Sequence, residues 1–457
     1  MSYTAGVSSS VPIPEVPAAL VTEIERGQCV AFLGAGYSAA AGLPGWDRLI
    51  SEAASHLPEP HPVRRFVEHI LHGGGVPNAA DLDRAAQLLE DELTRPGLLA
   101  ALLESLAGRR PTPRMELRQR FLRDIPFRAI VTTNFDPLTP GHTLAPDFYH
   151  SILRGQDWGW WSESFWGKGQ GAPVIKIHGD LEAARDPRQD KVVLTRRDYR
   201  RLLYVEPGYQ TFVRTLMASH TVLFLGFSFT DNYLNELRSE VMALFGSREV
   251  PLAYALLPDA PRPVVDHYWR HEGIHVLSYS PEEAHAAFDG WLEALWTQTA
   301  LRERLRRRLA GRRILWLDLH HAENNGPGIA FLEDVLSGDA ERLRTVARAE
   351  EALAELESFA PDLVLTHWGS VDAHDDAGRV CPAALRVLDG LRRRPEAPPV
   401  IVFTQGAADL EERRAAAFRR GAFDFCVRWD ALLLAMERLF RPLAADLIRV
   451  SPRSAPG

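Results

Sequence analysis

The chain has 457 residues, of which 46% are hydrophobic and 25% charged, and its formal net charge is −8. This length favours two or three domains, and the apolar content is sufficient to give each of them a core. The acidic balance argues against nucleic acid or an acidic membrane surface as a partner.

Cysteine usage and the N-terminal segment bear on redox compartment and targeting. Cys29, Cys381 and Cys426 form no CxxC pair, so neither a zinc motif nor a disulfide framework is predicted. The first residues lack the basic and apolar regions of a secretory signal. No apolar run reaches the roughly 18 residues that span a bilayer. We therefore expect a cytoplasmic protein with no metal and no membrane association.

The N-terminal two-thirds of the chain alternates strands with helices. Residues 1–16 are rich in Ser and Pro and predict a flexible lead-in, and residues 17–298 form the predicted first domain. A helix is predicted at Ala18–Glu25, and helical periodicity fills an insertion at about 47–125, including Asp81–Leu93 and Leu98–Ala107. Continuous apolar runs predict strands from Cys29 and at Ala129–Thr132, Val174–Ile177, Thr221–Leu225, Ala253–Leu257 and Gly273–Tyr279. Such runs between helices are typical of a parallel α/β sheet covered on both faces.

The C-terminal third predicts a second α/β domain. Leu301–Arg313 carries seven arginines. Because charge runs usually form solvated helix faces, we interpret residues 299–312 as a basic linker rather than a nucleic-acid-binding stripe. Strand–helix alternation then resumes with a strand at 314–318, and five such units predict a flavodoxin-like doubly wound domain over residues 313–445. Residues 446–457 are a predicted tail.

The first strand is followed by the glycine-rich segment Gly34–Trp46. Glycines allow backbone N–H groups to approach a pyrophosphate, although a lone GxG turn also occurs for structural reasons alone. Here the run is GAGYSAAAGLPGW. It resembles the NAD-binding loop of sirtuins, GAGxSxxxGxP, with all six fixed positions filled.

Later turns follow the same order as in sirtuins. TTNFD contains Asn134 and KIHGD contains His178, and each follows an apolar strand. Taken alone, an Asn-x-Asp turn is more often a cap, and a histidine at a strand end is more often structural. The carboxyl ends of parallel strands, however, meet at one edge of a sheet, where ligands bind. Gly226-Phe227-Ser228 also resembles the sirtuin GxS turn on the adenosine side.

The resemblance implies a Rossmann-like domain that uses NAD+ as a substrate. Among sirtuin-like proteins, this chain most resembles the SIR2-like NAD hydrolases of bacterial antiphage defence. Our hypothesis is that Asn134 binds the ribose hydroxyls and positions water, and that His178 acts as the base. Asp136 would brace its turn or, alternatively, orient His178. The implied NAD-binding residues are Gly34, Ala35, Gly36, Ser38, Pro44, Trp46, Thr133, Asp136, Gly226 and Ser228.

Two other functions are considered. An NAD-dependent protein deacylase would form its acyl-lysine groove against a zinc module held by two CxxC pairs, and these are missing. Deacylases also follow GxP with an acid-aromatic-Arg triplet, where this chain has Gly45-Trp46-Asp47. A non-catalytic NAD or ADP-ribose sensor is disfavoured by the intact Asn134 and His178. Hydrolysis of NAD is the favoured function.

The Trp-rich segment 157–166 has two open interpretations. Its four tryptophans either pack or form an oligomer contact, or they stack on a ring of NAD.

The second domain resembles a response-regulator receiver in three predicted strand ends. His367 stands where a receiver has its phosphoacceptor Asp, and Arg428 stands at the Lys position, whereas Thr404 and Asp318 match. Without the acceptor carboxylate and its paired acids, Mg²⁺-dependent aspartyl phosphorylation is expected to be disabled. We interpret the domain as a pseudo-receiver for self-association or trigger recognition, and the pair His320-His321 as a loop end rather than a metal site. By family analogy, we expect a homo-oligomer activated by a phage-derived signal or a partner protein.

Overall fold

The protein forms two compact units, Met1–Thr299 and Ala300–Gly457. The structure is a computed structural model. It describes residues 12–72, 79–107, 111–136, 138, 142–143, 172–188, 190–205, 207–229, 232–245, 253–318, 326–336, 340–369, 373–374, 380–394, 396–404 and 409–441. The Trp-rich segment 157–166, the His320-His321 pair and the tail 446–457 lie outside these residues.

The first unit is built on a parallel sheet. Its strands are β1 (Cys29–Leu33), β2 (Ala129–Thr132), β3 (His142–Thr143), β4 (Pro173–Lys176), β5 (Thr221–Leu225), β6 (Ala253–Pro258) and β7 (Ile274–Tyr279). They lie in the order β3-β4-β2-β1-β5-β6-β7. Apart from the two-residue edge strand β3, this is the 3-2-1-4-5-6 order of a Rossmann sheet. The predicted Rossmann-like fold is therefore confirmed.

Both faces of this sheet are buried, as the continuous apolar runs predicted. In β1, Cys29, Ala31 and Leu33 belong to one hydrophobic cluster, whereas Val30 and Phe32 belong to another. Because successive side chains of a strand point to opposite faces, the two clusters are the cores on either side of the sheet.

The helices of the first unit cover the sheet and form the insertion between β1 and β2. They are α1 (Ala18–Glu25), α2 (Ala35–Ser38), α3 (Trp46–Ala54), α4 (Pro62–His72), α5 (Ala79–Leu106), α6 (Pro113–Asp124), α7 (Arg196–Tyr204), α8 (Pro207–Ser219), α9 (Asn232–Phe245), α10 (Arg262–Glu272) and α11 (Glu282–Thr299). Helix α5 is broken at Thr94, whose φ of 65° is not helical, two residues before Pro96. The break separates the two helices predicted at Asp81–Leu93 and Leu98–Ala107, and it follows from the exclusion of proline from helix interiors.

The second unit has a five-stranded parallel sheet among its described residues. Its strands are β8 (Ile314–Leu317), β9 (Leu343–Val346), β10 (Leu363–His367), β13 (Val400–Phe403) and β14 (Asp424–Cys426), and a separate antiparallel pair is formed by β11 (Ala373–His374) and β12 (Val380–Cys381). The order β14-β13-β10-β8-β9 is the flavodoxin-like order 2-1-3-4-5 read from the opposite edge. The predicted flavodoxin-like fold is confirmed.

The helices of the second unit are α12 (Leu301–Arg308), α13 (Gly326–Val335), α14 (Ala349–Phe359), α15 (Ala383–Leu391), α16 (Leu410–Arg419) and α17 (Trp429–Leu439).

Two segments differ from the predicted boundaries. The basic segment was predicted to link the domains, but α12 is part of the second unit, because Leu305 and Leu309 are buried in its core and Arg308 pairs with Glu437 at 2.9 Å. The predicted flexible lead-in extended to residue 16, but Val16 is buried in the core of the first unit. Among the described residues, no helix has both the length and the apolar character needed to cross a membrane.

Candidate active site

A cavity of about 170 Å³ lies where β1, β2, β4 and β5 end. The turns that follow these strands all contribute to its wall, including Ser38, Asn134, His178 and Ser228. Parallel strands place their carboxyl ends at one edge of the sheet. The cavity lies along this edge, next to the boundary between β1 and β5 where the strand order reverses. The structure thus brings the glycine-rich loop together with the turns that carry Asn134 and His178.

The glycine-rich loop and the turn after β5 pack backbone against backbone. Gly36 N donates a hydrogen bond to Gly226 O at 2.9 Å. A Cβ on Gly34 would lie 2.5 Å from Gly226 O, and one on Gly226 would lie 2.1 Å from Tyr37 N. Gly226 also has a φ of +62°. Glycine is required at these positions because a side chain has no room between the two turns.

Asn134 is fixed to the glycine-rich loop by its side chain. Its Nδ2 donates to Gly34 O at 3.0 Å and to Ser38 Oγ at 3.2 Å, and its backbone N donates to Thr132 Oγ1 at 3.0 Å. Thr132 Oγ1 in turn donates to Leu33 O at 3.0 Å. Both N–H groups of the side-chain amide donate to residues of the cavity wall. The amide oxygen Oδ1 is therefore the side-chain atom that can accept a hydrogen bond from a ligand.

His178 lies in the cavity wall, two residues after the end of β4, and is 5% exposed. The ring of Tyr199 on α7 meets the imidazole edge to face, with 5.5 Å between centroids, and Tyr199 also stacks on Tyr233 at 4.2 Å. The next residue, Gly179, has a φ of +82°, and a Cβ there would lie 2.7 Å from Lys191 O. The turn that carries His178 therefore depends on glycine and on an aromatic support.

Asp136 braces its own turn. Its Oδ1 accepts a hydrogen bond from Leu138 N at 2.8 Å, and the side chain is 5% exposed. This contact agrees with the first of the two roles considered for Asp136, that of an Asx-type turn acceptor.

The helical insertion forms a further wall of the cavity. Trp46 and Leu49 of α3 and Leu82, Asp83 and Leu106 of α5 all line it. The Trp46 ring also lies 5.9 Å from that of Phe135 in the TTNFD turn.

Arg95 holds this insertion against the segment that leads to Tyr199. At the break in α5, its guanidinium donates to both carboxylate oxygens of Asp190, to Glu90, to Asp198 and to Val192 O. Burial lowers the pKa of Arg95, but the hydrogen bonds and charges of Asp190 and Asp198 outweigh it, so the pKa lies above its ordinary value. All five guanidinium N–H donors are engaged, which makes this residue a rigid clamp.

Arg118 supports the glycine-rich loop from behind the cavity. It is 3% exposed, and its Nη1 donates to Tyr37 O at 2.6 Å while its Nε binds Asp289 on α11. Burial raises the pKa of the Tyr37 phenol well above its usual range, so this ring remains neutral. These contacts tie the loop to α6 and α11.

The structure places ten of the twelve predicted site residues in the cavity wall. They are Asn134, His178, Gly34, Ala35, Ser38, Pro44, Trp46, Thr133, Asp136 and Ser228. Gly36 and Gly226 do not line the cavity. They instead make the close backbone packing between the two turns.

Sequence reasoning missed several residues of the wall. No site role was predicted for Tyr199, Leu82, Asp83, Leu106 or the 193–194 segment, all of which line the cavity. The segment LTRRDYRR at 194–201, which contains Tyr199, is the sequence feature that could have indicated this part of the cavity wall.

In the second unit, the four polar residues compared above with a receiver lie at the carboxyl ends of the strands of its parallel sheet. Asp318 directly follows β8, His367 ends β10, Thr404 follows β13 and Arg428 follows β14. Asp318 and Thr404 are buried, at 4% and 1% exposure, and His367 Nδ1 accepts from Gly369 N at 3.1 Å. Within the parts of the chain that the structure describes, no cluster of three or more His, Cys, Asp or Glu residues is arranged to hold a metal.

Comparisons with known proteins point to one family for the first unit. Residues 128–277 match the family model described as SIR2-like domain. NAD(+) hydrolase ThsA of Enterococcus faecium is 26% identical over 239 residues, which are 50% of this chain and 43% of the relative. Defense-associated sirtuin 2 of Bacillus subtilis is 24% identical over 231 residues, which are 49% of this chain and 20% of the relative. The chain thus spans less than half the length of these relatives.

A solved structure is similar to part of this chain as well. The receiver domain of NtrX from Brucella abortus is 28% identical, and the match covers 28% of this chain and 97% of the NtrX receiver domain, with a TM-score of 0.21.

The family match in the first unit includes the turns that carry Asn134, His178 and Ser228. This chain therefore contains a SIR2-like domain, which includes residues 128–277.

Proposed function

We propose that this chain is an NAD+ hydrolase that cleaves the bond between nicotinamide and ribose. The observation that carries the proposal is the meeting of Asn134 and His178 in the wall of one cleft beside a glycine-rich loop, at the edge of a sheet with the Rossmann order. The similarity to NAD(+) hydrolase ThsA supports the choice of substrate and reaction.

The glycine-rich loop is the proposed site of the NAD diphosphate. Ala35 and Ser38 line the cavity immediately after β1, and Ser228 lines it after β5. Gly34, Gly36 and Tyr37 donate their N–H groups within the protein. The proposed phosphate donors are therefore the N–H of Ala35 at the start of α2 and the hydroxyl of Ser38, and Ser228 is the proposed contact on the adenosine side. Pro44 and Trp46 complete the wall on the side of the helical insertion.

The proposed reaction needs few chemical groups. Breaking the bond between ribose C1′ and the nicotinamide nitrogen sends the electron pair to a neutral leaving group, so a strong general acid is not required. Water adds to C1′, and its proton passes to His178 and then to solvent. Asn134 accepts a hydrogen bond from a ribose hydroxyl or the water through Oδ1 and so orients the reactants. Thr133 and Asp136 shape the same wall.

The biological setting belongs to the same proposal. We place the activity in bacterial antiphage defence, which is supported by the similarity to Defense-associated sirtuin 2. The proposed location is the cytoplasm. An NAD hydrolase that ran freely would damage its own cell, so restraint is expected. The proposed restraint is a low but measurable basal rate in a homo-oligomer, which a phage-derived trigger or partner protein raises, with the second unit serving self-association or trigger recognition.

One incubation tests the function against its two rivals. Purified full-length chain is incubated with NAD+, with and without an acyl-lysine peptide, and nicotinamide and ADP-ribose are quantified by chromatography. A hydrolase releases nicotinamide without the peptide, and a deacylase requires the peptide. A sensor binds NAD+ or ADP-ribose but releases nothing, and that result would remove hydrolysis.

A further inference from the structure

Lys176 joins the turn of Asn134 to the turn of His178. The lysine is the last residue of β4 and is 4% exposed. Its Nζ donates to Asp136 O at 2.8 Å, to Asp180 Oδ2 at 2.7 Å and, at a longer 3.4 Å, to Phe135 O. One buried ammonium therefore connects the backbone after Asn134 to the carboxylate after His178.

Lys176 is held firmly at this position. It pairs with Thr132 across the parallel β2–β4 ladder, and Ile177 N donates to Thr132 O at 3.0 Å. The Asp180 carboxylate is fixed as well, because its Oδ1 accepts from the backbone N of Glu182 and Ala183 at 2.9 and 3.1 Å. Both ends of the link are rigid, so the ammonium sets the separation of the two turns.

We propose that Lys176 is a positioning residue that sets the geometry between Asn134 and His178 for hydrolysis of NAD. The inference rests on the proposed function and adds a residue to it. Lys176 does not line the cavity, so it acts through the two turns rather than on the substrate. A displacement of about 1 Å in a catalytic group costs about 100-fold in rate, which makes a rigid link between the two turns consequential.

A buried ion pair also has a structural role, which the experiment must separate from positioning. Removing one partner leaves an uncompensated buried charge and lowers stability, whereas removing both charges does so much less. Lys176→Met keeps the alkyl stem and removes the three donors. The double variant Lys176→Met/Asp180→Asn also removes the stranded carboxylate, and its amide oxygen still accepts from Glu182 N and Ala183 N.

The test compares these two variants with wild type in the full-length chain. Nicotinamide release gives kcat and KM, thermal unfolding gives Tm, and calorimetry gives the affinity for ADP-ribose. The matched control is Arg214→Met, which removes a cation from an exposed pair with Glu240 that joins α8 and α9. This control is expected to match wild type in kcat, KM and ADP-ribose affinity, with at most a small fall in Tm.

The expected result is that the double variant regains stability but not catalytic rate. The double variant recovers the Tm lost in Lys176→Met, but its kcat remains about 100-fold below wild type with little change in KM or ADP-ribose affinity. Recovery of wild-type kcat together with Tm would show that the link is only structural and would overturn the inference. If wild type itself releases no nicotinamide, the proposed function fails, and the role of Lys176 in that reaction fails with it.

Discussion

The side-chain amide of Asn134 donates a hydrogen bond to the carbonyl oxygen of Gly34, with 3.0 Å between Nδ2 and O. This contact fastens the turn after β2 to the loop after β1, over a sequence separation of 100 residues. Because a carbonyl oxygen only accepts, the contact also fixes which end of the amide faces the wall.

Asn134→Asp is expected to destabilise the first unit and to do so more at neutral than at acidic pH. An ionised carboxylate cannot donate to Gly34 O, and burying it against a carbonyl costs about 1–3 kcal/mol. Protonation restores a donor, so the deficit in free energy of unfolding relative to wild type should shrink as pH falls. Urea unfolding at pH 7.5 and pH 4.5 measures it. A deficit that is absent, or that grows toward acid, would contradict the observed contact.

Gly226→Ala is expected to be far more harmful than Gly27→Ala. The two glycines have similar φ values, +62° and +68°, but a Cβ at Gly226 would lie 2.1 Å from Tyr37 N and one at Gly27 would meet nothing within 4 Å. Gly27→Ala should therefore cost only the left-handed strain of about 1–2 kcal/mol, whereas Gly226→Ala must also separate the two turns.

Thermal unfolding and calorimetric ADP-ribose binding of both variants test this difference. The expected result is a larger fall in Tm and a loss of binding for Gly226→Ala alone. Equal effects of the two substitutions would show that the two turns do not pack as described.

Tyr199→Phe is expected to retain most activity, whereas Tyr199→Ala is expected to lose it. Phenylalanine keeps the edge-to-face contact with His178 and the stacking on Tyr233, and alanine removes both. The loss of kcat for alanine should approach about 100-fold, because the imidazole loses its support. Nicotinamide release measures both variants. A phenylalanine variant as slow as the alanine variant would assign the function to the hydroxyl instead of the ring.

Arg95→Met is expected to lower the free energy of unfolding by about 3–5 kcal/mol, because it removes the cation that Asp190, Glu90 and Asp198 share. Glu90 and Asp198 keep a second arginine partner, Arg197 and Arg201, so the loss falls most heavily on Asp190. Arg214→Met, which breaks an exposed pair, should cost about 1 kcal/mol or less. Urea unfolding of both variants makes the comparison. The Arg95 variant should also bind ADP-ribose more weakly, since the helical wall is no longer clamped. Equal stability losses would mean that the Arg95 cluster contributes no more than a surface pair.

The strands could be predicted because their signals are local, whereas the turns of Asn134 and His178 were assigned to the site by their order along the chain and their resemblance to sirtuin motifs. CVAFL is a continuous apolar run, which is typical of a strand buried on both faces, and β1 has that burial. The polar residues after β1, β2 and β4 then had to share an edge once the sheet was parallel. The glycine positions were implied by the resemblance to sirtuin motifs, although Gly226 serves packing rather than the cavity wall.

The rest of the site depends on tertiary packing. Helical periodicity in the insertion indicates an apolar face but not its partner, so the approach of Leu82 and Leu106 to the cavity could not be predicted. The same holds for Tyr199, whose helix packs beside His178. In the basic segment the arginines dominate the pattern, yet Leu305 in α12 and Leu309 directly after it are both fully buried.

Nicotinamide release by Asn134→Ala and His178→Ala, compared with wild type, tests the central claim most directly. Each variant is first shown by circular dichroism and thermal unfolding to be folded. The account predicts that wild type releases nicotinamide and ADP-ribose from NAD+ and that each variant loses most of that turnover. A folded variant that hydrolyses NAD+ at the wild-type rate would contradict it.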